Sequence, residues 1–380
     1  MFSNRASIST ALQSFKLDGH MLRYNSFVPK LYNWCLSLGF TPGKIMPSRA
    51  FCSDESQGFP IILIAKHFGA FPFNHGRVGG IVSVERHGPH ADHGKDLVLV
   101  QASHVGYDPG TGEFGVYRRL YTEHATNSCA CGKIGRIVQK YAEEYIYARD
   151  SVRLIRHEGR PSVLLDYLLI SPRKQGVFLV AENLVAGAEH GLPRPVSTRS
   201  TGHDFSASPR LLERLGEDTW PHEGSVAIGQ HLGAEDFYFQ REGHWEDPFQ
   251  DQLEQNLLAP MPWILTSAHP LLTAACANTL AEFERTYRSL LQSPAMHRKN
   301  LLFVAGLNID ISPDPGEDFP LTKFVPWAAF LQRSDGTQEI FEQDELLERL
   351  GAESSSNPTQ LDLEDAVQAM ASKREVQVRL

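Results

Sequence analysis

The stretch that organises this chain opens with Phe51-Cys52-Ser53-Asp54-Glu55 and closes with Cys129-Ala130-Cys131-Gly132. Between them lies Ala102-Ser103-His104-Val105-Gly106-Tyr107-Asp108. Each segment carries a cysteine or histidine with a glycine or an acidic residue nearby, and thiolate and imidazole are preferred ligands of zinc. We therefore predict that Cys52, His104 and Cys131 hold a Zn²⁺ ion with one open coordination position.

The spacing of these residues favours a catalytic over a structural site. Cys52 and His104 are 52 residues apart, and His104 and Cys131 are 27 apart. Structural zinc sites use four protein ligands at short paired spacings, whereas catalytic sites use three ligands and a water. Asp54 follows Cys52 by two residues, and a carboxylate there is suited to orient that water or to accept its proton.

Composition describes an ordinary globular protein. The 380 residues are 42% hydrophobic and 21% charged, and the net charge of −9 argues against a nucleic-acid-binding protein. We expect no membrane span, because no run of 18 apolar residues occurs. Five cysteines do not form a disulfide framework, which suits a reducing compartment. The N-terminus lacks a secretory segment; we expect a cytoplasmic protein, and the Arg5, Lys16 and serines of the first 17 residues leave organellar targeting open.

Two aliphatic runs predict buried strands, Leu97–Val100 and Leu301–Gly306, with His104 just past the end of the first. Ligand sites gather at that end of parallel strands. A helix is predicted to begin at Gly132, which would place Cys131 where the helix dipole lowers a thiol pKa. We expect one α/β zinc domain over residues 1–335, with an insertion of loops and short elements at about 150–300. Residues 336–380 are expected to form a tail that ends in a helix.

The chemistry expected of such a site follows from the properties of zinc. A zinc-bound water has a pKa near ~7, so hydroxide is available at neutral pH to attack a small electrophile such as carbon dioxide. The released proton needs a carrier, and His87, with His90 and His93, is the candidate shuttle. Arg118 or Arg119 is the candidate partner that would hold Asp54 off the metal. Phe71, Phe73 and Val105 are candidate walls of an apolar pocket for carbon dioxide.

Several motifs, in their order along the chain, resemble those of the limiting-CO2-inducible protein B/C family, which is related to the beta-class and theta-class carbonic anhydrases. The matching motifs are Cys52-Ser53-Asp54-Glu55, Gly69-Ala70-Phe71-Pro72-Phe73, Ser103-His104-Val105-Gly106-Tyr107-Asp108, Val116-Tyr117-Arg118-Arg119, Cys131-Gly132 and Phe303-Val304-Ala305-Gly306-Leu307-Asn308-Ile309-Asp310. The resemblance covers roughly residues 45–140 and 300–330.

The resemblance implies a zinc ion held by Cys52, His104 and Cys131, with Asp54 and an arginine as a gatekeeping pair. It implies an α/β fold around a short, mainly parallel sheet flanked by helices, and a homodimer. It favours Cys131 over Cys129, because a Cys-Gly at a helix start is similar to that of the beta class. Arg118 is preferred to Arg119. Beta-class enzymes place this arginine directly after Cys-x-Asp, whereas Glu55 and Ser56 follow here.

The leading hypothesis is therefore a carbonic anhydrase that hydrates carbon dioxide reversibly to bicarbonate and a proton through zinc-bound hydroxide. The first alternative is a non-catalytic, zinc-stabilised protein that senses inorganic carbon or acts as a scaffold, with Asp54 closing the metal site. The second alternative is a redox protein that uses Cys129 and Cys131 as a dithiol. It is disfavoured because a Cys-x-Cys disulfide is strained and no Cys-x-x-Cys occurs.

Overall fold

The computed structural model describes residues 5–84, 96–118, 127–170, 176–241, 243–296, 298–314, 317 and 320–372. The chain divides into two compact units. Unit 1 comprises Met1–Ser14 and Gly132–Ala277, and unit 2 comprises Phe15–Cys131 and Asn278–Leu380.

Helices and strands alternate irregularly along the described residues. The helices are α1 (Arg5–Ser14), α2 (Tyr24–Ser37), α3 (Gly58–Phe68), α4 (Gly132–Ser151), α5 (Ala181–Leu184), α6 (Pro209–Leu215), α7 (Pro248–Leu258), α8 (Met261–Thr266), α9 (Pro270–Gln292), α10 (Gln343–Ala352) and α11 (Leu363–Ala371). The strands are β1 (Leu22–Arg23), β2 (Ile45–Ala50), β3 (Phe73–Asn74), β4 (Asp96–Asp108), β5 (Glu113–Phe114), β6 (Val116–Arg118), β7 (Asn127–Cys129), β8 (Arg153–His157), β9 (Arg160–Leu165), β10 (Gly176–Leu179), β11 (Ser197–Arg199), β12 (Gly202–Ser206), β13 (Ser225–Ala227), β14 (Phe237–Gln240), β15 (Leu301–Ile311), β16 (Leu321–Gln332) and β17 (Gln338–Phe341).

Unit 2 is built on a mixed sheet with a parallel centre. Its strand order is β1-β16-β15-β4-β2-β3, and the pairs β15–β4, β4–β2 and β2–β3 are parallel. The outer strands β16 and β1 pair antiparallel, as does β17 with β16. The predicted α/β class with a mainly parallel central sheet flanked by helices is confirmed.

Both faces of this sheet are covered, which explains its unbroken aliphatic strands. Alternate residues of β4 and β15 enter two different cores. Val98, Val100, Leu302 and Val304 join a core that includes residues of α2, α3 and α10. Leu97, Leu99, Leu301 and Phe303 join a second core with Leu290 of α9 and Met296.

Strand β4 is longer than its aliphatic run predicted. It continues to Asp108, so His104 lies inside the strand, opposite Asn308 of β15, rather than past its end. The polar side chains that follow the aliphatic run form hydrogen bonds within unit 2. Gln101 donates to the carbonyl of Gly80, and Ser103 accepts from the amide of Asn278.

Unit 1 contains a five-stranded antiparallel sheet with the order β11-β12-β9-β8-β13 and a separate antiparallel pair, β10–β14. Thus β11 to β14 and helix α6 lie in the region expected to hold loops and short elements. The single domain over residues 1–335 and the tail over 336–380 stay predictions. Among the described residues, no helix combines the length and apolar character needed to span a bilayer.

Candidate metal centre

The three predicted ligands come together in unit 2. One donor atom from each of Cys52, His104 and Cys131 lies within 4.8 Å of the others. Cys52 follows the end of β2 by two residues, His104 is in β4, and Cys131 directly precedes α4. Strands β2 and β4 are parallel neighbours, and this pairing brings the first two segments together. All three side chains are buried.

The spacing of the two sulfurs fits a shared metal ion. Cys52 Sγ and Cys131 Sγ are 3.9 Å apart. Two sulfurs bound tetrahedrally to one zinc ion at ~2.3 Å would be about 3.8 Å apart, whereas a disulfide needs ~2.05 Å. Both cysteines are free thiols. The two sulfurs are therefore spaced so that both could bind one metal ion.

His104 presents one nitrogen to a carboxylate and leaves the other without a partner. Its Nδ1 is 2.8 Å from Asp310 Oδ2, and both side chains are fully buried. Its Nε2 is buried and has no hydrogen-bond partner among the described residues. An unpaired buried nitrogen is costly unless something binds it. A metal ion between Nε2 and the two sulfurs would satisfy it.

A glycine turn supports Cys52. The backbone N–H of Gly79 donates to Cys52 Sγ at 3.2 Å, and the backbone N–H of Asp54 also donates to this sulfur. The turn needs glycine, because a Cβ at Gly80 would lie 2.1 Å from the carbonyl oxygen of Ala102 and the φ angle there is +81°. The glycine-rich segment thus approaches the backbone of β4 closely.

The electrostatics of the three groups are tightly linked. A hydrogen bond with Cys131 lowers the pKa of Cys52 well below its usual value. The same hydrogen bond, together with burial, raises the pKa of Cys131. The predicted lowering at Cys131 is therefore wrong in the metal-free chain, because one of two adjacent thiols ionises first and opposes the second. Burial lowers the pKa of His104, but the charges of Cys131 and Cys52, together with the hydrogen bonds to Asp310 and Cys131, outweigh it and raise this pKa.

Asp54 and Arg118, the predicted gatekeeping pair, each form hydrogen bonds with other groups in the structure. Asp54 is half-buried and its carboxylate caps the following turn by accepting from the N–H of Ser56. The guanidinium of Arg118 donates to the backbone carbonyls of Pro313 and Asp314, at 2.6 and 2.8 Å. These contacts give Arg118 partners other than Asp54, so their pairing stays a prediction.

Other candidates lie away from the centre or outside the described residues. Arg119 and the histidines His87, His90 and His93 belong to segments that the structure does not describe. Cys129 is exposed, and the metal cluster contains Cys131 instead. Phe71 and Phe73 are exposed, whereas Val105 is buried. Two of the three expected pocket walls therefore face solvent.

Sequence reasoning missed the residues that surround His104. Asp310, Gln57 and Ser56 are all buried and form hydrogen bonds with one another next to the imidazole. One signal was present in the sequence, because Asp310 is the single charged residue of a buried strand. Gln57 and Ser56 are neutral and carried no comparable signal.

Comparison with known proteins supports the family resemblance and the fold. Residues 21–158 match a family model described as "Limiting CO2-inducible proteins B/C beta carbonic anhydrases". This matched segment includes all three residues of the metal cluster. No curated protein matches the chain.

Two solved structures share the architecture. One is described as the "Crystal structure of PtLCIB4, a homolog of the limiting CO2-inducible protein LCIB"; it is 13% identical, with a TM-score of 0.50, and the alignment covers 88% of this chain and 99% of that one. A histidine-to-alanine mutant of the same protein is also 13% identical, with a TM-score of 0.50, and covers 87% and 97%. At this identity the likeness shows the fold.

Proposed function

We propose that this chain, whose residues 21–158 match the model of the limiting-CO2-inducible protein B/C family, is a zinc-dependent carbonic anhydrase. It would convert carbon dioxide reversibly to bicarbonate and a proton. The observation that carries the proposal is the buried cluster itself. Its two sulfurs are 3.9 Å apart, and the donor set is completed by Nε2 of His104, which has no hydrogen-bond partner within the described segments.

The residues fit zinc rather than a harder cation. Two thiolates and an imidazole match the ligand preference of zinc, and three protein ligands leave a fourth position for solvent. A zinc ion held there supplies Lewis acidity that brings the pKa of a water near ~7. Cys52 and Cys131 would balance its charge with two thiolates. His104 would bind through its buried Nε2.

Asp54 is proposed as the group that accepts or orients the proton of the attacking water. Its position supports this role, since its backbone N–H binds the sulfur of Cys52 and its side chain is half-buried. We propose Arg118 as its partner, in competition with the backbone carbonyls that the guanidinium contacts now. His87 is proposed to carry the proton to solvent. We also propose a homodimer, as the resemblance implies, and a cytoplasmic location, which the sparse cysteines favour.

The test combines metal analysis with a stopped-flow assay of carbon dioxide hydration. Wild-type protein should contain about one zinc per chain and release protons on mixing with carbon dioxide. Cys52→Ala should lose both properties, because two remaining ligands cannot retain the ion. Cys129→Ala is the matched control: this cysteine is exposed and outside the cluster, so its zinc content and rate should equal the wild type.

Two outcomes would contradict the proposal differently. Wild-type protein that takes up no zinc would end it entirely. Zinc uptake without hydration would favour the non-catalytic alternative, in which Asp54 occupies the fourth position of the metal. In that case Asp54→Ala should open this position, and cobalt substitution would report the change as an altered visible absorption spectrum.

A further inference from the structure

We infer that Asp310 is a positioning residue that fixes His104 in the tautomer whose Nε2 faces the two cysteines. The inference rests on the proposed zinc site and concerns how this chain prepares the site. The carboxylate of Asp310 is fully buried. It lies at the centre of a hydrogen-bond network that joins β15, β16, β4 and the turn after Cys52.

The two carboxylate oxygens of Asp310 have different neighbours. Oδ2 accepts from Ser56 Oγ at 2.8 Å and lies 2.8 Å from His104 Nδ1. Oδ1 accepts from Thr322 Oγ1 at 3.1 Å. The amide of Gln57 bridges both oxygens, at 3.1 and 2.9 Å. With these lone pairs occupied by donors, the ring nitrogen that faces Oδ2 must itself be a donor.

The orientation of the Gln57 side chain leaves Asp310 as the acceptor for the hydrogen on Nδ1 of His104. Its Nε2 is 3.4 Å from His104 Nδ1, close enough to compete for that nitrogen. However, its Oε1 accepts from Asn308 Nδ2 at 2.6 Å, and Asn308 Oδ1 in turn accepts from the hydroxyl of Tyr24 at 2.7 Å. Because the carboxylate of Asp310 only accepts, the end of the Gln57 amide that faces it is the NH2, and the remaining groups of the relay follow that direction. Gln57 therefore points its NH2 at the site, and an NH2 cannot accept a proton from Nδ1.

The tautomer follows from this relay. Nδ1 carries a hydrogen and donates it to Asp310. When the ring is neutral, as binding of a metal requires, its lone pair is therefore on Nε2. Among the described residues, this nitrogen has no hydrogen-bond partner. A carboxylate behind a ligating histidine fixes the ring and makes it a stronger ligand. Among the described residues, the carboxylate of Asp310 has no lysine or arginine partner, which leaves its charge to act through the imidazole.

The decisive variant is Asp310→Asn, which keeps the size of the side chain. Since Gln57 bridges both oxygens, any orientation of the new amide sets one NH2 group against another. We expect the dissociation constant for Zn²⁺, measured by competition with a chromophoric chelator, to rise by about 10- to 100-fold. Thr322→Val is the matched control, because Thr322 touches only the oxygen that His104 does not use. Its effect should be much smaller.

The tautomer of His104 can also be measured directly in the wild-type protein by NMR. Protein labelled with ¹⁵N-histidine and loaded with ¹¹³Cd²⁺ should show metal coupling on Nε2 of one histidine and a bonded hydrogen on its Nδ1. A merely structural role of Asp310 would not dictate this pattern. Metal coupling on Nδ1, or an Asp310→Asn variant that binds zinc as tightly as the wild type, would overturn the inference alone. Failure of the wild type to bind either metal would overturn the proposed function as well.

Discussion

Two buried carboxylates, one in each unit, are stabilised in opposite ways. Glu254 of unit 1 is fully buried, and its oxygens accept from Arg241 Nε and from the hydroxyl of Tyr141, both at 2.7 Å. Lys140 lies 3.5 Å away. Arg241 also pairs with Asp251, so two acids share one guanidinium. The negative charge of this cluster is balanced by permanent cations on the chain itself.

Asp310 of unit 2 has neutral donors and one histidine as its partners instead. An uncompensated buried charge is costly. Within the part of the chain that the structure describes, no lysine or arginine pairs with Asp310, and His104 lies between this carboxylate and the two sulfurs. We therefore expect a bound cation to matter for Asp310 and not for Glu254.

The largest expected effect is the response of stability to zinc. Free Zn²⁺ at a thousandfold excess over its dissociation constant should stabilise the folded wild type by about 4 kcal/mol, since the ion binds only the assembled site. His104→Ala should show no such gain. Thermal unfolding with zinc and with a chelator measures the difference. An equal response of both proteins would show that zinc binds elsewhere. The proposed difference between the Asp310 site, which needs a cation, and the Glu254 cluster, which does not, would then be wrong.

Sequence reasoning recovered the central strands and the three side chains that cluster, Cys52, His104 and Cys131, because their signals are local. The aliphatic runs of β4 and β15 specify buried strands by themselves, and Cys52 and Cys131 stand beside acids and glycines in a chain with few cysteines. Asp310 was not assigned a role because its partner His104 is 206 residues away in the sequence. The full length of β4 was missed for a similar reason: Asn278, the partner of Ser103, is 175 residues distant.

The second effect concerns the ion-pair cluster of unit 1. Arg241→Met should lower the free energy of unfolding by about 3 kcal/mol, because Glu254 would remain buried without its guanidinium. Urea unfolding measures this loss. Arg288→Met is the matched control: Arg288 is 63% exposed and pairs with Glu284 on the surface of α9, so the cost should stay below about 1 kcal/mol. Zinc affinity should be unchanged in both variants, and a loss in Arg241→Met alone would contradict the separation of roles.

The smallest expected effect is the response of the same cluster to acid. The hydrogen bond from Arg241 lowers the pKa of Asp251 from 3.8 to about 2. A carboxylate with a depressed pKa in the folded state contributes stability that is complete above its unfolded pKa and is lost as the pH falls through its folded pKa. Asp251 should therefore contribute about 2 kcal/mol above pH 4 and lose it between about pH 4 and pH 2.

Asp251→Asn isolates this contribution, because the amide keeps the shape of the side chain but does not titrate. Urea unfolding of metal-free wild type and variant at a series of pH values should give two curves that converge as the pH falls from about 4 to 2. Metal-free protein is required, since protonation of the thiolates and of His104 would release zinc over an acidic range of its own. Parallel curves would mean that Arg241 is bound to Glu254 alone. The cluster would then hold one ion pair in place of a shared guanidinium, and its contrast with Asp310 would rest on a single contact.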